Sequence, residues 1–461
     1  MNATLRALNR FGLGARPGEQ SRIPDPRSWL REQLGQGPPA LPAPDSASPT
    51  EIADALRALR MAGPGDQGAR QQARQRIARI IAAEHGAALT QRVTSERPFV
   101  ERLVAFWSNH LCVSAAAKLL VAPLAGSYER EAIRPHVLGH FEDMVLASAQ
   151  HPAMLFYLDN FQSIGPQSPG AQPGRRAGVR RGLNENYGRE LLELHTLGVD
   201  GGYTQQDVIE LARILTGWTV AGIGGPATAA LRPRARAAAS GPLRFAFQEL
   251  LHEPGSKTLL GEEYREAGVA EGERALRSLC RHPSTARFIA TKLATHFIAD
   301  APPPAAVERL RGVFQDSEGD LRAVADTLIE LPEAWREDTR KFRTPQDWVV
   351  AMLRAFAAPA ANEALAQALR QLRHPLWAPA SPKGFGDGVQ EWADPDSLLN
   401  RAELARTIAR RIGFRGVDPR VLLEVVDVPP TDPLRPLLAD NSIDAGERVA
   451  LALAGPAFQW R

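Results

Sequence analysis

The stretch from Leu183 to Trp218, LNENYGRELLELHTLGVDGGYTQQDVIELARILTGW, does most to limit what this chain can fold into. Its apolar period is helical. Leu183, Tyr187, Leu191 and Leu194 fall on one stripe. Two helices joined by a glycine turn satisfy the pattern. Asn184 can cap the first, Glu185 stands in its first turn, and Gly198 sits where a left-handed C-terminal residue is wanted. Thr204 opens the second helix, with Asp207 in the third position as a shorter relative of the capping-box acid. At about 100° per residue Glu190 projects on one margin of the stripe and His195 on the other. Glu185, Arg189 and Glu193 face away. A carboxylate turned toward packed surface is costly unless it is paired, hydrogen-bonded or metal-bound, which makes Glu190 the first candidate for a role beyond packing.

Helical patterning of this kind recurs along most of the 461 residues. It predicts a mainly α, multi-helix bundle. One small β excursion is expected near residues 243–260: a strand through Phe245 and Phe247, a turn at Pro254–Gly255 and a return through Leu259. Residues 1–36 read as an N-terminal helical segment and the proline-rich residues 37–50 as a connector that crosses the surface. Residues 51–358 read as the main helical domain, and 359–461 as a C-terminal helical extension packed on it. Two arginine-bearing stretches, Gly165–Gly182 and Ala221–Ser240, read as surface loops beside the central helix pair.

With 44% hydrophobic and 23% charged residues the chain has enough apolar material for a large core. A net charge of +3 is small for this length and aromatics are sparse at 6%, so neither a phosphate-binding field nor a base-stacking platform is indicated. No nucleic acid is expected as a partner. Cys112 and Cys280 lie in apolar helical contexts outside any C-x-x-C pair and read as buried free thiols. The start of the chain carries no apolar run of signal-peptide length, and no segment approaches a membrane span. The default expectation is therefore the cytoplasm, with an exported or periplasmic location as the alternative.

Other candidates lie in polar steps beside apolar runs. Asn109 and His110 close the helix FWSNH. There the imidazole can satisfy a free carbonyl or be presented as a ligand or proton-transfer group. In EREAIRPHVLGHFED, His136 and His140 are four apart and Asp143 follows. On one helix face such a pair can chelate a metal with a third ligand from elsewhere, although a chance surface pair is the plainer account. Arg134 beside His136 reads as part of an anion-facing pair. Asp159 ends the apolar run AMLFYLDN, either as a helix stop or as a carboxylate delivered to a pocket. Glu249 and His252 form an E-x-x-H in a segment that does not read as a helix, which removes its metal-binding logic.

NENYGRELLELHTLGVDGGYTQQDV with ILTGW resembles the bacterial domain-of-unknown-function family DUF1800. So do LNRFGLGARPGE, FWSNH, EREAIRPHVLGHF, HPAMLFYLDN, HEPGSKTLLG and HPSTARFIATKL, in that order from about Leu8 to about Phe356, with PLW at Pro375–Trp377 as a later landmark. The resemblance implies a largely helical bacterial domain, often exported, often encoded beside a sulfatase-like protein, and without a settled activity. Glu253 departs from the expected Asp, and His140 is not part of the pattern.

Two functional readings compete. In the first, an enzyme carries a polar cleft around the NENYGRELLELHTLG helix and performs metal-dependent or acid–base, hydrolase-like chemistry. Glu190, His195, Asn186 and Asp159 are its catalytic candidates. His110, His136 and His252 are candidate ligands for a divalent metal, and Asn109, Arg134 and Asn184 are pocket residues. In the second, the chain is a non-catalytic helical scaffold or binding protein, partnering a sulfatase-like protein, and the same residues cap helices and satisfy one another. Haem held by histidines ranks last, since no C-x-x-C-H is present.

Overall fold

The computed structural model describes residues 2–62, 65–171, 182–222, 243–357, 363–411, 418–426, 428 and 430–461. Within them the chain is mostly helical. The expected arginine-bearing loops fall largely on residues 172–181 and 223–242, outside the described residues. A single apolar core runs from Leu5 in the first helix to Phe458 near the C-terminus, so the N- and C-terminal segments bury side chains in the same interior as the middle of the chain. Cys112 and Cys280 are both free and buried in it or at its edge. No described helix is long and apolar enough to cross a membrane.

Starts are fixed by side chains that replace missing backbone partners. Asn184 caps Glu185–Glu190 by accepting from Asn186 N at 3.0 Å. Thr204 and Asp207 form a complete capping box on Gln205–Ile214, with Thr204 N donating to Asp207 Oδ2 at 2.8 Å. The two His-Pro steps use one device. His151 and His282 are N-caps whose Nδ1 accepts the backbone N–H two residues on, at 3.1 Å in each case, while the following proline fills the first helical position.

Three departures from the sequence reading matter. First, the helix that starts at Glu185 is not α throughout: Leu191–His195 is a π turn, and Gly198 ends the run at φ +84°. Second, the next helix stops at Ile214 and does not reach Trp218. Gly217 at φ +82° turns the chain out of helix, and Trp218–Ala221 (β1) becomes a strand paired antiparallel with Arg244–Phe247 (β2). The second hairpin is Lys257–Leu259 (β3) with Glu262–Tyr264 (β4). The β excursion is thus two hairpins, and Phe245 and Phe247 pair backward to β1, not forward to Leu259. Third, His136 and His140 do not share a helix. His136 ends a 3-10 turn, Arg134–His136, and His140 is the N-cap of Phe141–Gln150. Pro135 and Gly139 interrupt the helix the spacing argument needs.

Candidate functional site

Helix Pro283–Phe297 lays one face along a cavity of about 350 Å³. Phe288, Thr291, Lys292, Thr295 and His296 are spaced as i, i+3, i+4, i+7 and i+8, and all line it. Its opposite face, with Ile289, Ala290, Leu293 and Phe297, is buried in the core. A second wall comes from the end of helix Pro98–His110, through Phe106, Asn109 and His110. The third is the irregular segment 374–387, which brings His374, Trp377, Lys383, Phe385 and Asp387. The NENYGRELLELHTLG stretch contributes only its far end, Glu193 and Leu194.

Asn109 holds the third wall in place. Its Nδ2 donates to Phe385 O at 2.9 Å and its Oδ1 accepts from Phe385 N at 2.8 Å, so one amide pairs with a backbone as a strand would. The neighbouring Gly384 has φ +82°, and a Cβ there would come within 2.4 Å of Asn109 O. Gly384→Ala should therefore lose roughly 1–3 kcal/mol through strain and overpacking and detach the loop from Asn109. Denaturant unfolding with the midpoint and slope recorded checks this.

The chemistry of the cavity centres on Lys292. His110 is fully buried. Its Nε2 donates to His195 O at 3.1 Å, which fixes the tautomer and leaves the Nδ1 lone pair facing Lys292 Nζ at 3.0 Å. Lys292 also lies over the Phe288 ring at 5.5 Å. Among the described residues no carboxylate comes within ion-pair distance of it. Burial, not offset by a counter-charge at contact, pushes its ammonium down to about 8. Burial likewise holds His110 well below its ordinary range, with the Lys292 charge adding to the effect. His195 is pushed down to about 3, again by burial and then by Lys292, and its Nε2 has no hydrogen-bond partner among the described residues. One turn on, His296 Nδ1 pairs with Asp387 Oδ2 at 2.9 Å. Its Nε2 is shut from water and unpartnered among the described residues. Despite burial, the imidazole and Lys341 keep Asp387 down at about 2.

Of the residues nominated from sequence, the cavity gathers Asn109 and His110 directly, and His195 through its carbonyl. It does not gather the others. Glu190 is half-buried and has no hydrogen bond or ion pair among the described residues. Burial and then Glu193 raise its carboxyl, but it does not line the cavity. Asp159 adopts φ 61° at a helix end and pairs with Lys118 at 2.6 Å, so it is a stop and an ion pair. Asn184 is a cap that also donates to Leu158 O, and Asn186 is exposed. His252 bridges Thr216 O (2.9 Å) and Glu271 Oε2 (3.0 Å), beside the Lys257–Glu271 pair. His136 is half-buried near Asp143. The three histidines nominated as ligands thus have separate surroundings, and no group of three His, Cys, Asp or Glu among the described residues is placed to hold a metal ion.

Arg134 is buried in a charge network behind the cavity. Its two terminal nitrogens meet Glu101 at 2.8 Å each, and Nε and Nη2 meet Glu129 Oε1 at 3.1 and 2.9 Å. Arg92 (3.2 Å) and the Trp377 indole N–H (2.9 Å) take the other oxygen of Glu129. Sequence reasoning missed Lys292, His296 and Asp387. The first two stand in and just after HPSTARFIATKL, where the apolar period spoke for core, and Asp387 lies about ninety residues further on.

No curated protein and no solved structure matches this chain. The family model described as "Protein of unknown function (DUF1800)" does match, over residues 6–460, and therefore takes in all three walls of the cavity as well as the segment beyond Phe356. The chain belongs to the DUF1800 family.

Proposed function

We propose that the cavity at Lys292 is an active site for acid–base chemistry on a small substrate with an apolar body and one oxygen-bearing polar end. The observation that carries this reading is the Lys292–His110 contact: an ammonium in a cavity wall, held by a neutral imidazole where a carboxylate would be ordinary. An amine near neutrality in its proton affinity can give or take a proton at physiological pH, and as a cation it can hold a carboxylate or polarise a carbonyl. Hydrolysis by an activated water belongs to this class, with neutral Lys292 as the base. The Cys112 thiol is a poor nucleophile, since burial pushes it up to about 12.

Titrating benzoate and benzaldehyde against wild type and Lys292→Met tests the reading. Saturable thermal stabilisation of the wild type, lost in a variant whose own melting point stays within a few degrees, is the expected result. Equal responses from both proteins would remove the cavity as a site.

The scaffold reading draws on a different observation. Glu101, Arg134, Asp159 and His252 are satisfied within the fold. Under it the chain serves a partner, a sulfatase-like protein being the one its family resemblance suggests, and the cavity takes no small molecule.

A further inference from the structure

We propose that Lys292 is an imine-forming lysine, and that the substrates or inhibitors of this cavity are aldehydes or ketones with an apolar body; the inference rests on the acid–base reading of the same cavity and names its substrate class. It starts from how sparingly the chain uses lysine. Of 55 basic residues only five are lysines: Lys118, Lys257, Lys292, Lys341 and Lys383. Arginine serves almost everywhere else, and a guanidinium neither loses its proton at ordinary pH nor condenses with a carbonyl.

Three of the five lysines are spoken for as point charges. Lys118 pairs with Asp159, Lys257 with Glu271 and Lys341 with Asp300. Lys383 is exposed at the cavity wall. Lys257 also touches an imidazole, His252 Nε2 at 3.3 Å, but Glu271 neutralises it, whereas Lys292 meets its imidazole with no carboxylate at contact among the described residues. Its Nζ is 3.0 Å from His110 Nδ1, and that nitrogen must be the acceptor because Nε2 is committed to His195 O. The Phe288 ring and the side chains of Phe106 and Leu194 make the surroundings apolar, which favours the uncharged amine over the ammonium.

The step balances without an oxidant or reductant. The Nζ lone pair attacks the carbonyl carbon and a C–N bond forms, while the C=O π pair moves onto oxygen. A proton passes from nitrogen to that oxygen, with His110 Nδ1 placed to relay it. A second proton transfer lets the C–O bond break and water leave, and the nitrogen lone pair closes the C=N bond. His110 is a positioning and relay residue here; Lys292 is the catalytic one.

Benzaldehyde with sodium cyanoborohydride converts an imine into a stable benzyl amine, and peptide mass mapping over five lysines locates it. Lys292 should be labelled at least about tenfold faster than Lys118 or Lys383 at pH 7.5. The rate should be half-maximal near the amine's value of about 8, where an ordinary lysine would give about 10.4. Benzoate should protect it. Lys292→Arg, which keeps the charge and a donor for His110, should abolish the product while retaining benzoate binding, and His110→Gln should slow labelling without removing it. Labelling of Lys292 no faster than of Lys118 or Lys383 overturns the imine. If benzoate then still binds in a Lys292-dependent way, the acid–base reading stands without it. If neither benzoate binding nor selective labelling is found, both readings fall.

Discussion

Arg134→Met should cost roughly 3–5 kcal/mol of folding stability, among the largest losses any single substitution in this chain can produce. The reason lies in how its charge is distributed. Arg134 meets Glu101 as a fork through its two terminal nitrogens and Glu129 through Nε and one of the same terminal nitrogens, and all three side chains are buried. With Arg92 the cluster holds two cations and two anions, so it is neutral as it stands. Burial opposes a charge on Glu129, yet Arg134 and then Arg92 hold its carboxyl below the ordinary value. Removing Arg134 leaves two carboxylates away from water with one remaining cation, Arg92, paired with Glu129. Arg134→Lys should fall in between, because an ammonium cannot serve both carboxylates in one plane. Denaturant unfolding of Arg134→Met, Glu101→Gln and the double variant measures the coupling. A double variant as unstable as the sum of the singles would show that the pair does not act as a unit. Glu129 also accepts from Trp377, a wall of the cavity, so the network is expected to shape the site as well as hold the fold.

The second large effect is with pH, and its sign follows from buried neutral histidines. Burial pushes His151, His195 and His374 down to about 3. In the unfolded chain each would titrate near 6.5. Below that value the unfolded state takes up protons that the folded state refuses, so stability falls as pH drops from about 6.5 toward 3. Each histidine contributes about 1.4 kcal/mol per pH unit in that window. Glu84 opposes them: burial raises it to about 7, so between there and about 4.5 the folded state binds the extra proton and one histidine's share is offset. These four groups together give a loss on the order of 3 kcal/mol per unit between pH 6 and 4.5, and burial of His85 and His110, which also lowers them, steepens it. For His151 the cause is visible in the cap. Its Nδ1 accepts the Ala153 N–H, and a proton there would turn an acceptor into a second donor. Unfolding free energies at pH 8, 6.5 and 5, with His195→Gln as a comparison of shallower slope, test this. A flat profile across the window would refute it.

The helices and their starts were legible in the sequence because capping is local. Asn184, Thr204 and Asp207 act within three residues of themselves, and the structure has them as caps. The free thiols were legible from their apolar context. The hairpin partners were not, since Gly217 signals a turn without saying which strand will return to Trp218. The site was legible only in part. Asn109 and His110 end a helix with polar side chains, a visible signal, whereas Glu190 drew attention by its angle on an ideal α-helix. Lys292 lies 182 residues from the histidine it meets, and periodicity carries no information over that distance. Its one sequence signal was its rarity among the basic residues.

The π turn at Leu191–His195 has a consequence for how this chain can vary. A π turn amounts to one residue more than an α-helix would spend on the same stretch. Everything before it is therefore out of phase with everything after it. Gly188 keeps its face against the Gln205–Ile214 helix and Tyr187 stays buried in the core, while the His195 carbonyl comes round to receive His110. Conservative side-chain changes within the turn leave that offset alone. Deleting a single residue from it would restore a continuous α-helix and rotate one half against the other by about 100°. Either the packing of Tyr187 or the carbonyl that fixes the His110 tautomer would be lost. What this stretch protects is a spacing, and relatives that keep the cavity should keep the count of residues between Tyr187 and His195 more strictly than their identities.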